Sequence, residues 1–223
     1  METPKQPIVL AGIILSFLLF VCVSLFFTPL FKPAHFNDET LMLLSRLSFW
    51  LCTLVIFLYV VNVEKQALLL WPEKEYSFLF YVSSVLALLL ILLAGMTIIS
   101  LTGMSLGLNN KSTKLHGLLS VLRKNRPLLI FTCLTAGVTE ELIFRGYLIP
   151  RLQLFFKNPI FALIISSVLF GVAHIGYGSV VQIIGPIFIG FVFALYYQRY
   201  RNIKVVMLCH FLWDFFTLLI LTR

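Results

Sequence analysis

"PLLIFTCLTAGVTEELIFRGYLIP", Pro127 to Pro150, reads as a membrane helix with three charges in its middle. Its flanks are apolar or small, while its centre holds Glu140, Glu141 and Arg145. A charge at the centre of a lipid-facing helix costs about 2.5–3.5 kcal/mol on insertion scales. These three side chains must therefore face a bundle interior, a water-filled cavity or one another. If the stretch spans a membrane, the fold is a helical bundle with a polar interior.

The rest of the chain supports that condition. Of 223 residues, 60% are hydrophobic and 12% charged, against about 25% charged in a typical soluble domain. The mean hydropathy is +1.01. There is too little polar surface for a water-soluble fold, and no length left for a separate soluble enzyme domain. The net charge of +8 sits mostly in Lys and Arg between apolar runs, which points to anionic lipid headgroups and away from nucleic acid. Cys22, Cys52, Cys133 and Cys209 all fall in apolar runs and form no CxxC pair, so they are expected as inert buried thiols.

Working outward, "IVLAGIILSFLLFVCVSLFF" (Ile8 to Phe27) supplies the roughly 20 apolar residues a bilayer core needs. The following "TPLFKP" lacks a small-residue cleavage pattern, so a retained anchor is expected. "FNDET" caps a second span, Leu41 to Val63, whose Arg46 is expected to snorkel to the interface. A connector with Trp71 and Tyr76 as interface aromatics leads to a third span, Ser77 to Leu101. Next, Lys111, Lys114, Arg123, Lys124 and Arg126 accompany Leu115, Leu118, Leu119 and Leu122 on one helical face. That pattern predicts a basic amphipathic helix at the interface. Four more runs follow, about Pro127 to Leu148, Pro159 to His174, Val180 to Tyr197 and Ile203 to Leu221.

The expected fold is an all-α polytopic membrane protein of about seven to eight transmembrane helices, with the active site between the C-terminal four. The expected division is N-terminal helices over 1–103, the basic amphipathic linker over 104–126 and a catalytic membrane domain over 127–223. Three spans separate the linker from a smaller basic cluster at Arg199, Arg201 and Lys204, which puts the two on opposite faces. The positive-inside rule takes the larger cluster as cytoplasmic.

The polar residues then fall into three constellations. Glu141 and Arg145 are one turn apart and can meet, while Glu140 turns away from them. "FGVAH" places Phe170 and His174 one turn apart, with Ser166 a turn earlier. "HFLWD" does the same for His210 and Asp214. Ionisable groups inside a membrane are functional candidates by default, though each alone could be a packing contact. Glu140 could act as general base on water held by His174, with His210 and Asp214 at the oxyanion, provided His210 presents a donor. His174, His210 and a carboxylate could instead hold zinc, although no HExxH is present. A proton or ion path is the third possibility.

The three stretches "EELIFR", "FGVAH" and "HFLWD" resemble the EExxxR, FxxxH and Hxxx(N/D) motifs of the CAAX protease and bacteriocin-processing family of intramembrane endopeptidases. That family includes the type II CAAX prenyl protease and lysostaphin-resistance-like proteins. The resemblance covers about Pro127 to Leu221, in the family's order. It implies a metal-independent glutamate mechanism on a membrane protein or peptide, with no cofactor, and the small size of the chain favours a bacterial member and hence a bacterial plasma membrane. Glu140 and His174 would activate water, His210 and Asp214 would form the oxyanion site, and Glu141, Arg145 and Phe170 would support them. Asp214 departs from the Asn of many members, and an ionised Asp cannot donate to an oxyanion. A catalytically idle adaptor or immunity protein would keep the same motifs as a polar core.

Overall fold

Six of the helices begin where a polar side chain takes up a free backbone N–H. Asn37, Ser77, Ser112, Asn125, Asn158 and Asn202 each accept from a residue in the first turn that follows. A computed structural model describes residues 6–108 and 112–223 and contains no strand among them. The helices are α1 (Gln6–Phe31), α2 (Asp38–Tyr59), α3 (Phe78–Ser105), α4 (Thr113–Lys124), α5 (Arg126–Thr135), α6 (Ile149–Phe156), α7 (Pro159–Val172), α8 (Val181–Tyr200) and α9 (Ile203–Leu221). α5 and α6 are the two ends of one span, Arg126–Phe156. Among the described residues, seven helices are long and apolar enough to cross a membrane. The chain is an integral, multi-pass membrane protein, and its large exposed side chains, such as Phe78, Leu90 and Ile98 on α3, are apolar.

Hydrogen bonds tie the helix ends into two faces. Arg126 at the start of α5 donates through Nη1 to Thr222 Oγ1 at the end of α9 (2.6 Å). On the other face, Lys74 N donates to Arg201 O (3.0 Å), and Asn202 Nδ2 donates to Lys74 O (2.8 Å). The loop between α2 and α3 is thus fastened to the α8–α9 turn, where the Arg201 guanidinium lies 3.6 Å from the centre of the Trp71 ring. Three spans separate α4 from that turn, so the two basic clusters lie on opposite faces as counted.

α4 is the expected amphipathic helix, packed against α2, α5 and α9. Leu122 is buried, while Arg123 and Lys124 are exposed. Lys111 lies outside the described residues. Lys114 differs from the lipid-facing expectation. Its Nζ donates to Ser24 O (2.7 Å) and lies 5.2 Å from the centre of the Tyr177 ring. Burial, and secondarily Arg46, pull its pKa below the usual lysine value. Three cysteines are buried as expected, but Cys22 is exposed on α1.

A second buried charge cluster has no precedent in the motifs. Glu64, at the end of the second span, accepts from Tyr147 Oη (2.7 Å) and from Arg151 Nε (2.8 Å). Arg151 also donates to the Leu68 and Ala67 carbonyls. Both carboxylate oxygens and every guanidinium nitrogen are engaged, so these charges clamp the second span to α6 at small net cost.

Candidate active site

The first motif does not lie on a regular α-helix. Between α5 and α6 the backbone is π-helical over Ala136–Glu140 and again over Leu142–Leu148. Such turns free backbone groups from the usual ladder and are common at functional positions. Neighbouring hydroxyls take up some of that freedom: Thr139 Oγ1 donates to Thr135 O (2.7 Å) and Ser166 Oγ to Phe144 O (2.8 Å). Ser166 therefore serves the backbone. Trp50 Nε1 donates to Thr135 Oγ1 (3.0 Å), fixing α2 beside the same turn.

Within that segment the two glutamates separate as their spacing predicts. Arg145 Nη1 donates to Glu141 Oε1 at 2.7 Å, with both side chains buried. The Arg145 guanidinium also lies 4.4 Å from the centre of the Phe170 ring and 5.5 Å from that of Phe193. Glu141 Oε1 has a second partner, His210 Nδ1, again at 2.7 Å. Sequence reasoning missed this contact, because 69 residues separate the two and no local pattern links them. A backbone approach permits it. A Cβ on Gly137 would sit 2.9 Å from Met207 O and 3.0 Å from Phe211 N, so only glycine lets α9 come this close.

The remaining contacts set which atoms are free. His210 Nε2 stands 3.6 Å from Asp214 Oδ2. His174 Nδ1 is 2.8 Å from Phe170 O; a carbonyl only accepts, so Nδ1 carries the proton and Nε2 is left with its lone pair. Phe170 packs edge-on against Phe144 (5.0 Å) and near both His174 (4.9 Å) and His210 (6.1 Å), holding the two imidazoles apart. Glu140 Oε2 is buried and has no hydrogen-bond partner among the described residues.

Glu140, Phe170, His174, His210 and Asp214, from three spans, line one cavity of about 220 Å³. Glu141 and Arg145 are buried and paired beside His210. A smaller cavity of about 70 Å³ adjoins it and shares Glu140, His174, Arg46 and Tyr177. The site is not confined to the C-terminal four spans. Phe20 and Ser24 of α1, Arg46 of α2, Met96 of α3 and Leu115 of α4 also form its walls. Arg46 does not simply reach for the interface: it lines both cavities. A lone Arg two turns inside an apolar span was the signal for this. Among the described residues no three His, Cys, Asp or Glu side chains form a group that could hold a metal. His174 and His210 engage Phe170 O and Glu141 through Nδ1, which leaves the Nε2 atom of each ring outside those bonds.

Comparisons with known proteins cover the C-terminal motifs and, for one relative, nearly the whole chain. Residues 123–216 match the family model described as type II CAAX prenyl endopeptidase Rce1-like. The chain is 25% identical over 220 residues to a Bacillus subtilis (strain 168) protein named "Putative membrane peptidase YdiL". That alignment covers 95% of this chain and 86% of the relative. No solved structure matches the chain.

Proposed function

We propose, from the match of residues 123–216 to the Rce1-like family model, that this chain is a membrane peptidase of the CAAX protease and bacteriocin-processing family and a glutamate-type intramembrane endopeptidase. The observation that carries the reading is the shared cavity: Glu140, His174, His210 and Asp214 converge on it from three spans, with Glu140 Oε2 left without a partner. An unpaired carboxylate inside a membrane is costly to keep for packing alone.

Glu140 is the general base and the Nε2 lone pair of His174 orients the water. Water attacks the scissile carbonyl while its proton passes to Glu140, and the same proton later reaches the departing amine. His210 stands with Asp214 where the carbonyl oxygen gains charge. Glu141 fixes the ring of His210 through Nδ1, as carboxylates do for imidazoles in other catalytic sites. Arg145 neutralises Glu141, and Phe170 spaces the two histidines. Residues 127–223 form the catalytic domain, and the N-terminal helices close its cavity. The apolar walls from Met96, Leu115, Leu118, Trp213 and Leu218 suit a membrane-embedded peptide or protein. The setting is the bacterial plasma membrane, with anionic lipid against the exposed Arg123 and Lys124 of α4.

The test uses purified protein in liposomes and a library of quenched fluorescent apolar peptides. Glu140→Gln and His174→Ala should each lower kcat at least about a hundredfold without loss of the folded protein. Turnover should survive a strong zinc chelator. Unchanged turnover in Glu140→Gln would remove Glu140 as base. Turnover lost to chelator and restored by zinc would favour the metal reading. A folded wild type that cleaves no peptide would favour an idle adaptor.

A further inference from the structure

Arg46, Arg145 and Arg151 lie inside the spans, and the last two are paired. Arg145 meets Glu141 at 2.7 Å and Arg151 meets Glu64 at 2.6 Å. Arg46 has no carboxylate within ion-pair distance among the described residues. Its one hydrogen bond there runs from Nη2 to Ser45 Oγ, at 3.3 Å. Its guanidinium lies 5.1 Å from the centre of the Phe49 ring, and its Nε is buried with no acceptor. Glu140 is the matching remainder, a carboxylate inside the bundle without an ion pair among the described residues. Both residues line both cavities. A guanidinium and a carboxyl group thus border the same space without closing into an ion pair. An unpaired charge inside a membrane bundle needs something to face.

Thr132, Tyr177, Gln182 and Trp213 bring neutral donors to the larger cavity, and none of them carries a positive charge to match a developing oxyanion. The Nδ1–H of His174 is spent on Phe170 O and the Nδ1–H of His210 on Glu141, while His210 Nε2 faces the Asp214 carboxylate at 3.6 Å. Ionised Asp214 accepts and does not donate. Among the described residues Arg46 is the only Lys or Arg lining the larger cavity, and it brings several uncommitted N–H groups. A guanidinium cannot lose its charge in a protein, so it is always a donor.

We propose that Arg46 is a further catalytic residue: its guanidinium donates to the carbonyl oxygen of the scissile peptide, a place that an amide side chain at position 214 would otherwise serve. The inference rests on Glu140 being the base. In the step, the water oxygen bonds to the carbonyl carbon and its proton passes to Glu140. The C=O π pair moves onto oxygen, where the Arg46 N–H groups meet the developing O⁻. The C=O then re-forms as the C–N bond breaks, and the proton on Glu140 goes to the departing nitrogen. Arg46 lies outside the segment that matches the family model, so α2 would contribute chemistry as well as packing.

The experiment measures kcat and KM in liposomes on the quenched apolar peptide that the wild-type protein cleaves fastest. Arg46→Met should lower kcat about 10²–10³-fold, the usual loss of one oxyanion donor, with KM changed less than about threefold. Asp214→Asn supplies an amide donor, so in that background the same substitution should cost less than about tenfold. Millimolar guanidinium should restore part of the activity of Arg46→Ala and none of Arg46→Met. If either variant fails to fold, Arg46→Lys, which keeps the charge and loses the fork, should still show reduced kcat at unchanged KM. A rise in KM at constant kcat would make Arg46 a ground-state anchor and overturn the proposal. So would equal losses from Arg46→Met in the wild-type and Asp214→Asn backgrounds. Glu140→Gln is the separating control: if it stays active, the base assignment fails first; if it is dead while Arg46→Met is fully active, only this inference fails.

Discussion

Glu140 and Glu141 are neighbours in sequence with opposite surroundings. Glu141 is fully buried and holds Arg145 and His210 on the same oxygen, each at 2.7 Å. Removing one member of a buried ion pair costs about 3–5 kcal/mol, because the other is left without compensation. Glu140 has no such partner among the described residues, and its Oε2 is buried with no hydrogen bond. The two conservative substitutions should therefore separate stability from activity. Glu141→Gln should lower the thermal midpoint in detergent and disturb the cavity through His210. Glu140→Gln should leave the midpoint unchanged or raised while turnover is lost. Equal destabilisation of the two variants would mean that Glu140 is also a packing residue. The Glu141–Arg145 half of this contrast was legible from i,i+4 spacing. The Glu141–His210 half was not, because two segments 69 residues apart are brought together only by packing.

At the scale of helices, the site depends on how closely α9 approaches the π-helical turns. Gly137 sets that distance: an added Cβ would meet Met207 O at 2.9 Å and Phe211 N at 3.0 Å, both backbone atoms that cannot rotate away. In a helix, Gly→Ala is normally favourable by about 1 kcal/mol. Here the sign should reverse. Gly137→Ala should destabilise by about 1–3 kcal/mol, the cost of overpacking, and should reduce turnover by loosening the His210–Glu141 bond. Gly117 on α4 is the control, since nothing lies within 4 Å of its added Cβ. Gly117→Ala should be neutral or stabilising in the same unfolding measurement. If both variants are stabilised alike, close approach at Gly137 is not what positions α9. The amphipathic helix α4 could be read from its leucine spacing and basic residues. The π-helical turns could not, since they leave no distinct pattern in the apolar spacing of this stretch.

Across the whole molecule, hydropathy predicted about seven to eight spans, of which seven form among the described residues, because a bilayer demands about 20 apolar residues per crossing. It did not reveal that α1 and α2 wall the site, since contacts between distant spans leave no periodic trace. Nor did it show how the loop between α2 and α3 is held, and that loop carries a pH dependence of its own. Glu73 accepts from Ile203 N at the start of α9 through both oxygens (3.0 and 3.2 Å), a favourable place for a carboxylate at a helix N-terminus. Burial nevertheless raises its pKa above the usual glutamate value, with the Ile203 N–H and Lys204 offsetting part of the rise. A raised folded-state pKa means that the folded protein binds more protons than the unfolded chain between the two values. Stability from this residue is therefore greatest below the ordinary glutamate pKa and declines as pH rises through the raised one. Glu73→Gln keeps an oxygen for Ile203 and removes the titration. Thermal midpoints of the wild type and Glu73→Gln should coincide at the acid end of that window. They should separate toward neutral pH with the variant higher. Taking the difference cancels carboxylates common to both proteins. A constant difference across the window would show that the helix-end contact fully offsets burial, and a wild type that gains on the variant as pH rises would show that the contact outweighs it and that the loop is held chiefly by the Glu73 charge.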